Sequence, residues 1–73
     1  MDAETNRPET IRIATYCAEN AIEARRRGGM FGSAAFALSS ARNEFGETRH
    51  PYAAGGFDTD LARATIAAVF AAA

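Results

Sequence analysis

The sequence has no tryptophan, lysine or glutamine, and it has one cysteine and one histidine. A lone cysteine excludes a disulfide within the chain and fits a reducing compartment. With so few sulfur and imidazole ligands, the usual zinc sites are excluded. Without lysine, the glycine-rich phosphate loop that ends in Gly-Lys-Ser/Thr is excluded as well.

Long hydrophobic runs are also missing. The longest stretch without a charged residue, 28–41, contains three glycines and three serines, so it is too short and too polar to cross a bilayer. The first residues are acidic, whereas a secretory signal begins with a basic segment and continues with an apolar one. We therefore expect a soluble, cytoplasmic protein that forms one domain over residues 1–73.

Alanine occupies 18 of the 73 positions. It favours helices and loses no side-chain entropy in them, yet each alanine buries little apolar area. A chain this short also has little surface to bury. The sequence therefore predicts closely packed helices whose core depends on a few larger side chains. Those side chains are Ile11, Ile13, Ile22, Leu38, Leu61, Ile66, Val69, the five phenylalanines and the two tyrosines.

Helical spacing predicts an all-α, compact three-helix domain, with helices near residues 8–27, 33–45 and 59–72. Asn6 and Glu9 have the spacing of a capping pair at the start of the first helix. Glycines and short polar residues mark the other ends. The predicted boundaries are Gly28–Gly29 after the first helix, Ser33 and Gly46 around the second, and Asp58 or Thr59 before the third.

A small α+β fold is the structural alternative. Ile11 and Ile13 alternate with polar or small neighbours, so residues 10–17 also fit a short strand. Its partner would come from residues 47–57, the longest irregular part of the chain. Phe36 points away from the apolar face of the second helix, which predicts its burial against another neighbour.

Catalytic chemistry is not expected, because no catalytic or metal-binding motif occurs. Cys17 and His50 are the one conceivable pair of nucleophile and base, but Cys17 falls on the apolar face of the first helix, where a thiol packs as a small hydrophobe. His50 would need carboxylates from elsewhere in the fold to hold a metal. We predict no enzyme activity, no catalytic residue, no cofactor and no metal.

Three arginines stand together in the stretch ARRRGGMFGSA, residues 24–34. Arg25, Arg26 and Arg27 could neutralise nucleic-acid phosphates, and Phe31 could stack on a base. The same arginines in the last turn of a helix would complement its negative end. The glycines that follow favour this structural interpretation, so the run is the alternative basic patch.

Acidic and aromatic residues around the irregular segment are the candidates for binding a partner. An exposed acidic cluster suits docking onto a basic surface, such as one that normally receives nucleic acid. Aromatic side chains often dominate binding energy. The candidates are Glu44, Glu47, Tyr52, Phe57, Asp58 and Asp60. For the aromatics the structural alternative is core packing, and for the two aspartates it is helix capping.

These features favour a small interaction protein that binds and blocks a surface of a larger complex. In size and overall character, across the whole chain, it resembles the short proteins of phages and mobile elements, including anti-CRISPR inhibitors. This resemblance implies binding to a subunit of a CRISPR effector complex and a block of target DNA binding, and it assigns no residue. The alternatives are a small nucleic-acid-binding regulator and a subunit that self-associates through its C-terminal helix. Both a monomer and a homodimer fit the sequence.

Overall fold

The computed structural model describes the backbone of residues 3–48 and 56–73. These residues form three helices, α1 (Ala3–Arg26), α2 (Ala34–Thr48) and α3 (Thr59–Ala72). Each helix packs against the other two. The described ranges contain no strand, so the predicted three-helix all-α fold is confirmed.

The α+β alternative is wrong for residues 10–17, which lie inside α1. The helical spacing of small residues continues on both sides of this segment, so the alternation of Ile11 and Ile13 does not decide its structure. Of the second proposed strand, residues 47–48 belong to α2 and residues 56–57 are not in a strand. The rest of that segment lies outside the described residues.

The helices run up, down and up. At one end of the bundle, Arg42 Nη2 donates to Thr59 Oγ1 at 3.4 Å, which joins the second half of α2 to the start of α3. At the other end, the Arg25 guanidinium lies 5.0 Å from the centre of the Phe70 ring. The ends of α1 and α3 therefore lie together, and α2 is antiparallel to both.

The end of α1 forms a glycine cap of the Schellman type. The amide of Gly28 donates to Arg25 O at 3.0 Å, and the amide of Gly29 donates to Ala24 O at 2.8 Å. Gly28 has φ of +77°, a conformation that a Cβ atom disfavours. The predicted helix end at Gly28–Gly29 is confirmed, and the arginine run belongs to the last turn of α1 and the residue after it.

The predicted N-caps of the second and third helices are also present. The side-chain oxygen of Ser33 accepts from the Phe36 amide at 3.0 Å. The Asp58 carboxylate accepts from the Leu61 amide at 3.0 Å, so Asp58, rather than Thr59, caps α3. Each bond satisfies a backbone donor that the first turn of a helix leaves without a partner.

Two predicted helix ends are wrong. α1 begins at Ala3, so Asn6 lies within the helix and does not cap it. Glu9 instead pairs with Arg12, a spacing of three that stabilises a helix. α2 passes through Gly46 and ends at Thr48, since a glycine lowers helix stability by only about 1 kcal/mol and does not by itself stop a helix.

Alanine forms most of the core. The buried hydrophobic residues are Ile13, Ala14, Cys17, Ala18, Ala21, Ala37, Ala41, Phe45, Ala62 and Ile66. The small volume of the six alanines in this list lets the helix axes approach closely. Among the larger side chains, Phe57 is half-buried and packs edge-on against Phe45, with 5.3 Å between ring centres. The prediction that every large apolar residue belongs to the core is wrong, because several of them are exposed.

Candidate functional site

Five large hydrophobic residues are exposed among those the structure describes. Phe31 and Phe36 retain 54% and 42% of their accessible surface, and Tyr16 retains 57%. These three line one side of the molecule, between α1 and α2, which we call the α1–α2 face. Met30 precedes Phe31 in the connecting turn, and Ile11 lines neither cavity of this face.

The apolar end of the α1–α2 face is built by an aromatic pair. Phe31 comes from the turn after α1 and stacks on Phe36 of α2, with ring centres 4.6 Å apart and planes inclined by 28°. Burial of Phe36, which the sequence predicted, is therefore wrong: its neighbour is another exposed aromatic ring. Beside the pair lies a cavity of about 220 Å³, lined by Cys17, Asn20, Ala21, Ala24, Phe31, Phe36 and Ser40.

The turn that carries Phe31 is held at three points. The glycine cap fixes its start, and the Ser33 side chain fixes its end by accepting from the Phe36 amide. Between them, Gly32 is buried against the backbone of Arg25, where an added Cβ atom would lie 2.9 Å from Arg25 Cα. The Phe31 ring is therefore positioned before any partner arrives, which reduces the entropy lost on binding.

The other end of the face is polar and acidic. A second cavity of about 300 Å³ is lined by Tyr16, Cys17, Asn20, Ser40, Asn43, Glu44 and Glu47. It shares Cys17, Asn20 and Ser40 with the first cavity. The two cavities therefore form one continuous depression between the helices, which we call the α1–α2 groove.

The electrostatics of the groove are negative at this end. Glu44 and Glu47 lie near the C-terminal end of α2, where the helix dipole is also negative, and among the described residues no arginine lines either cavity. A hydrogen bond with Glu9 and the Glu9 charge raise the pKa of Arg12, and the charge of Glu44 adds to this effect. Among the described residues that line this end of the groove, Glu44 and Glu47 are the charged ones, and both are negative.

Cys17 lies on the floor of the groove, where it is buried. Burial raises the pKa of its thiol, and the charge of Glu44 raises it further. The thiol is therefore held in its neutral form, whereas a nucleophilic cysteine is a thiolate. His50, the base considered for it in the sequence, lies outside the described residues. Within the described ranges, no group of three metal-ligating side chains comes together.

The predicted acidic and aromatic residues separate into two places. Glu44 and Glu47 come together in the groove. Asp58 and Asp60 lie at the start of α3, outside the groove, where Asp58 is the cap and Asp60 pairs with Arg63 at 3.3 Å. Phe57 packs against the core, as described above. Tyr52 lies outside the described residues.

The arginine run contacts the protein's own side chains. Arg25 lies over the Phe70 ring. Glu23 forms salt bridges with Arg26 at 3.9 Å and with Arg27 at 3.2 Å. All three arginines are exposed, so these pairs are weak and screened by salt. They still reduce the positive charge that the run offers to a nucleic acid.

The groove is a feature that sequence reasoning missed. Tyr16 and Phe36 were assigned to the core because they are large and apolar. A signal was available, since Tyr16 lies outside the stripe of Ala14, Ala18 and Ala21 and Phe36 points away from the apolar face of α2. The stacking of Phe31 on Phe36 depends on the path of the turn, which residue spacing does not reveal.

Comparison with known proteins does not identify this arrangement. The chain matches no family model, no curated protein and no solved structure. In the described part of the chain, no helix combines the length and apolar character needed to span a membrane. The function is therefore inferred from the α1–α2 groove itself.

Proposed function

We propose that the protein is a small non-enzymatic interaction protein that covers a surface of a larger macromolecular complex through its α1–α2 face. One observation carries this proposal: three aromatic residues line the groove with about half of their surface exposed, while small alanines fill the core. Exposed apolar patches of this kind mark interaction sites. Aromatic side chains are also the commonest residues to dominate binding energy.

The surface that the protein covers is basic in this proposal. Glu44 and Glu47 supply negative charge next to the aromatic side chains, and complementary charge speeds association and selects among partners. A surface that receives nucleic-acid phosphates has this character. An effector complex whose binding of target DNA is blocked, as the resemblance to anti-CRISPR proteins implies, is one assembly of this kind, and that identification stays a prediction.

Direct binding of nucleic acid is the weaker alternative. Its surface would be Arg25, Arg26 and Arg27, which contact Phe70 and Glu23 within the protein. A nucleic-acid site needs arginines available for phosphates. The alternative predicts that any captured complex is lost when nucleic acid is digested.

Self-association has one observation in its favour. α2 and α3 enclose an apolar depression of about 390 Å³, lined by Ala34, Ala35, Leu38, Arg63, Ile66 and Ala67. The neighbouring alanines of α3 are exposed. In this second candidate function, copies of the chain join through the α2–α3 side. Sedimentation that shows a monomer at every concentration would exclude it.

The proposed function can be tested by affinity capture from host lysate, with and without nuclease. The baits are the wild type, Phe36→Ala and Glu47→Arg, with Ile11→Ala and Glu19→Arg as matched controls outside the groove. The proposal predicts one stoichiometric protein complex that survives nuclease, is retained by both controls and is depleted with both groove variants. The captured complex should then lose its own ligand binding when the wild type is added.

Two results would contradict the proposed function. If capture disappears on nuclease treatment, the interaction depends on nucleic acid, and the arginine run becomes the candidate binding surface. Equal capture by groove variants and controls would remove the α1–α2 face from the interaction. Circular dichroism of each bait shows whether it retains the helical fold.

A further inference from the structure

We infer that the α1–α2 groove receives a basic amphipathic helix of the partner, with an apolar side chain beside Phe36 and an arginine or lysine beside Glu47. The inference rests on the proposed function, because it names the element of the partner that makes the contact. It also states which end of the groove receives the apolar side chain and which end receives the basic one.

The shape of the groove fits a helix. Its walls are two packed helices, and small side chains such as Ala21, Ala24 and Ser40 line it. The two connected cavities, of about 220 and 300 Å³, each have room for at least one large side chain. A groove of this kind is a usual receptor for the apolar face of an amphipathic helix.

The length of the groove sets the spacing of the partner's contacts. Phe36 and Glu47 are 11 residues apart on α2, which corresponds to about 16 Å at the rise of an α-helix. A partner helix lying along α2 therefore meets the aromatic end and the acidic end about three turns apart. Its apolar anchors and its basic residue need the same separation of about 11 residues.

Charge determines which residue the partner brings to the acidic end. Glu47 is exposed, and no side chain of the described residues forms a salt bridge with it. It also lies one turn after Glu44 and at the negative end of α2, so a cation placed beside it would face two carboxylates and the negative end of the helix dipole. A guanidinium or ammonium group from the partner would form a charge-assisted hydrogen bond with Glu47.

Other occupants fit the groove less well. An extended peptide that adds to a sheet needs a free strand edge, and the described residues contain no strand. A nucleic acid needs cations, and none of the described residues that line the groove is a cation. A second copy of this chain remains an outcome that the experiment distinguishes.

The test is a selection of displayed helical peptides on the immobilised full-length protein. We expect enriched peptides to carry apolar residues at helical spacing and an arginine or lysine about 11 residues away. Binding of a labelled selected peptide, followed by fluorescence anisotropy, should weaken by about tenfold or more with Phe36→Ala and with Glu47→Arg. The controls Ile11→Ala and Glu19→Arg should change it by less than about twofold.

A charge swap makes the test specific. Replacing the basic residue of the selected peptide by glutamate should weaken binding to the wild type and restore binding to Glu47→Arg. Peptides without a basic residue, peptides unaffected by Glu47→Arg, or no enrichment over empty resin would overturn the inference. Concentration-dependent dimers of the protein that selected peptides fail to dissociate would assign the groove to a second copy and overturn it too.

The two proposals can fail separately. If Phe36→Ala depletes the lysate complex but Glu47→Arg does not change peptide binding, the proposed function is supported and the basic helix is contradicted. Peptides that pass the charge swap, together with no lysate complex, would establish the specificity of the groove and contradict the proposed function.

Discussion

Gly32 lies against Arg25 so closely that a Cβ atom added to it would be 2.7 Å from Arg25 Cβ. This approach holds the turn that presents Phe31 against the last turn of α1. We predict that Gly32→Ala lowers the free energy of unfolding by about 1–3 kcal/mol, because the turn must move away from the helix. Thermal denaturation would show the loss as a decrease of several degrees in Tm.

Gly46 provides the matched control for this substitution. It lies in α2, and apart from the nearby backbone of that helix no atom of the described residues lies within 4 Å of an added Cβ atom. Gly46→Ala should therefore raise the free energy of unfolding by about 0.5–1 kcal/mol, because alanine loses less backbone entropy in a helix. Equal effects of the two substitutions would show that Gly32 is not in close contact with α1.

Thr10 is fully buried, and its hydroxyl has no hydrogen-bond partner among the described residues. Thr10→Val keeps the shape of the side chain and removes the unsatisfied group, so it should raise the free energy of unfolding by about 1 kcal/mol. Thr10→Ser keeps the hydroxyl and loses a methyl group, and it should lower that free energy. Urea denaturation checks both, and destabilisation by Thr10→Val would show that the hydroxyl is satisfied.

Cys17 makes the free energy of unfolding depend on pH in the alkaline range. Burial, with the charge of Glu44, raises the pKa of its thiol in the folded protein. A raised folded-state pKa means that the contribution is fully present below the unfolded thiol pKa of about 8.5 and is lost as pH rises through the folded value. The stability difference between wild type and Cys17→Ala should therefore shrink above about pH 8.5.

Denaturant unfolding of both proteins at several pH values measures this difference. All ionisable groups other than Cys17 are present in both proteins, so the comparison isolates the thiol. A difference that stays constant across the alkaline range would show that the thiol has the same pKa in the folded and unfolded chains. A stability difference that grows with pH would show that folding lowers the pKa of the thiol instead of raising it.

Ser33 caps the start of α2 and accepts a hydrogen bond from the Phe36 amide. Ser33→Ala should lower the free energy of unfolding by about 1 kcal/mol, because an N-cap bond is lost. Ser39, exposed within α2, supplies the control, and Ser39→Ala should be neutral or slightly stabilising because alanine favours helices. Chemical denaturation compares the two, and equal destabilisation would contradict the cap.

The three helices were predictable because their signals are local. Ser33 and Asp58 accept from amides three residues away, and Gly28 adopts a positive φ and donates its own amide to Arg25 O, so their types and positions alone indicated where helices end or begin. Gly46 led to a wrong helix end because a glycine within α2 lowers helix stability only slightly and the rest of the helix compensates for this loss. The capping pattern at Asn6 also led to a late predicted start for α1, which begins three residues earlier at Ala3.

The candidate site was less predictable because it depends on tertiary packing. Glu44 and Glu47 were identified from charge and position. The exposure of Phe31 and Phe36 was not, since hydrophobic spacing alone does not show that alanines fill the space between helices. The close contact of Gly32 with Arg25 is equally invisible in the sequence, and it directs the turn toward the α1–α2 face.

The most direct test of the proposed contact surface is the dissociation constant of the captured complex for Phe31→Ala compared with that for Ile11→Ala. Both residues are large, apolar and exposed, and only Phe31 belongs to the groove. The proposal predicts that Phe31→Ala weakens binding by about tenfold or more and that Ile11→Ala changes it by less than about twofold. Equal losses, or a larger loss with Ile11→Ala, would show that the partner binds elsewhere.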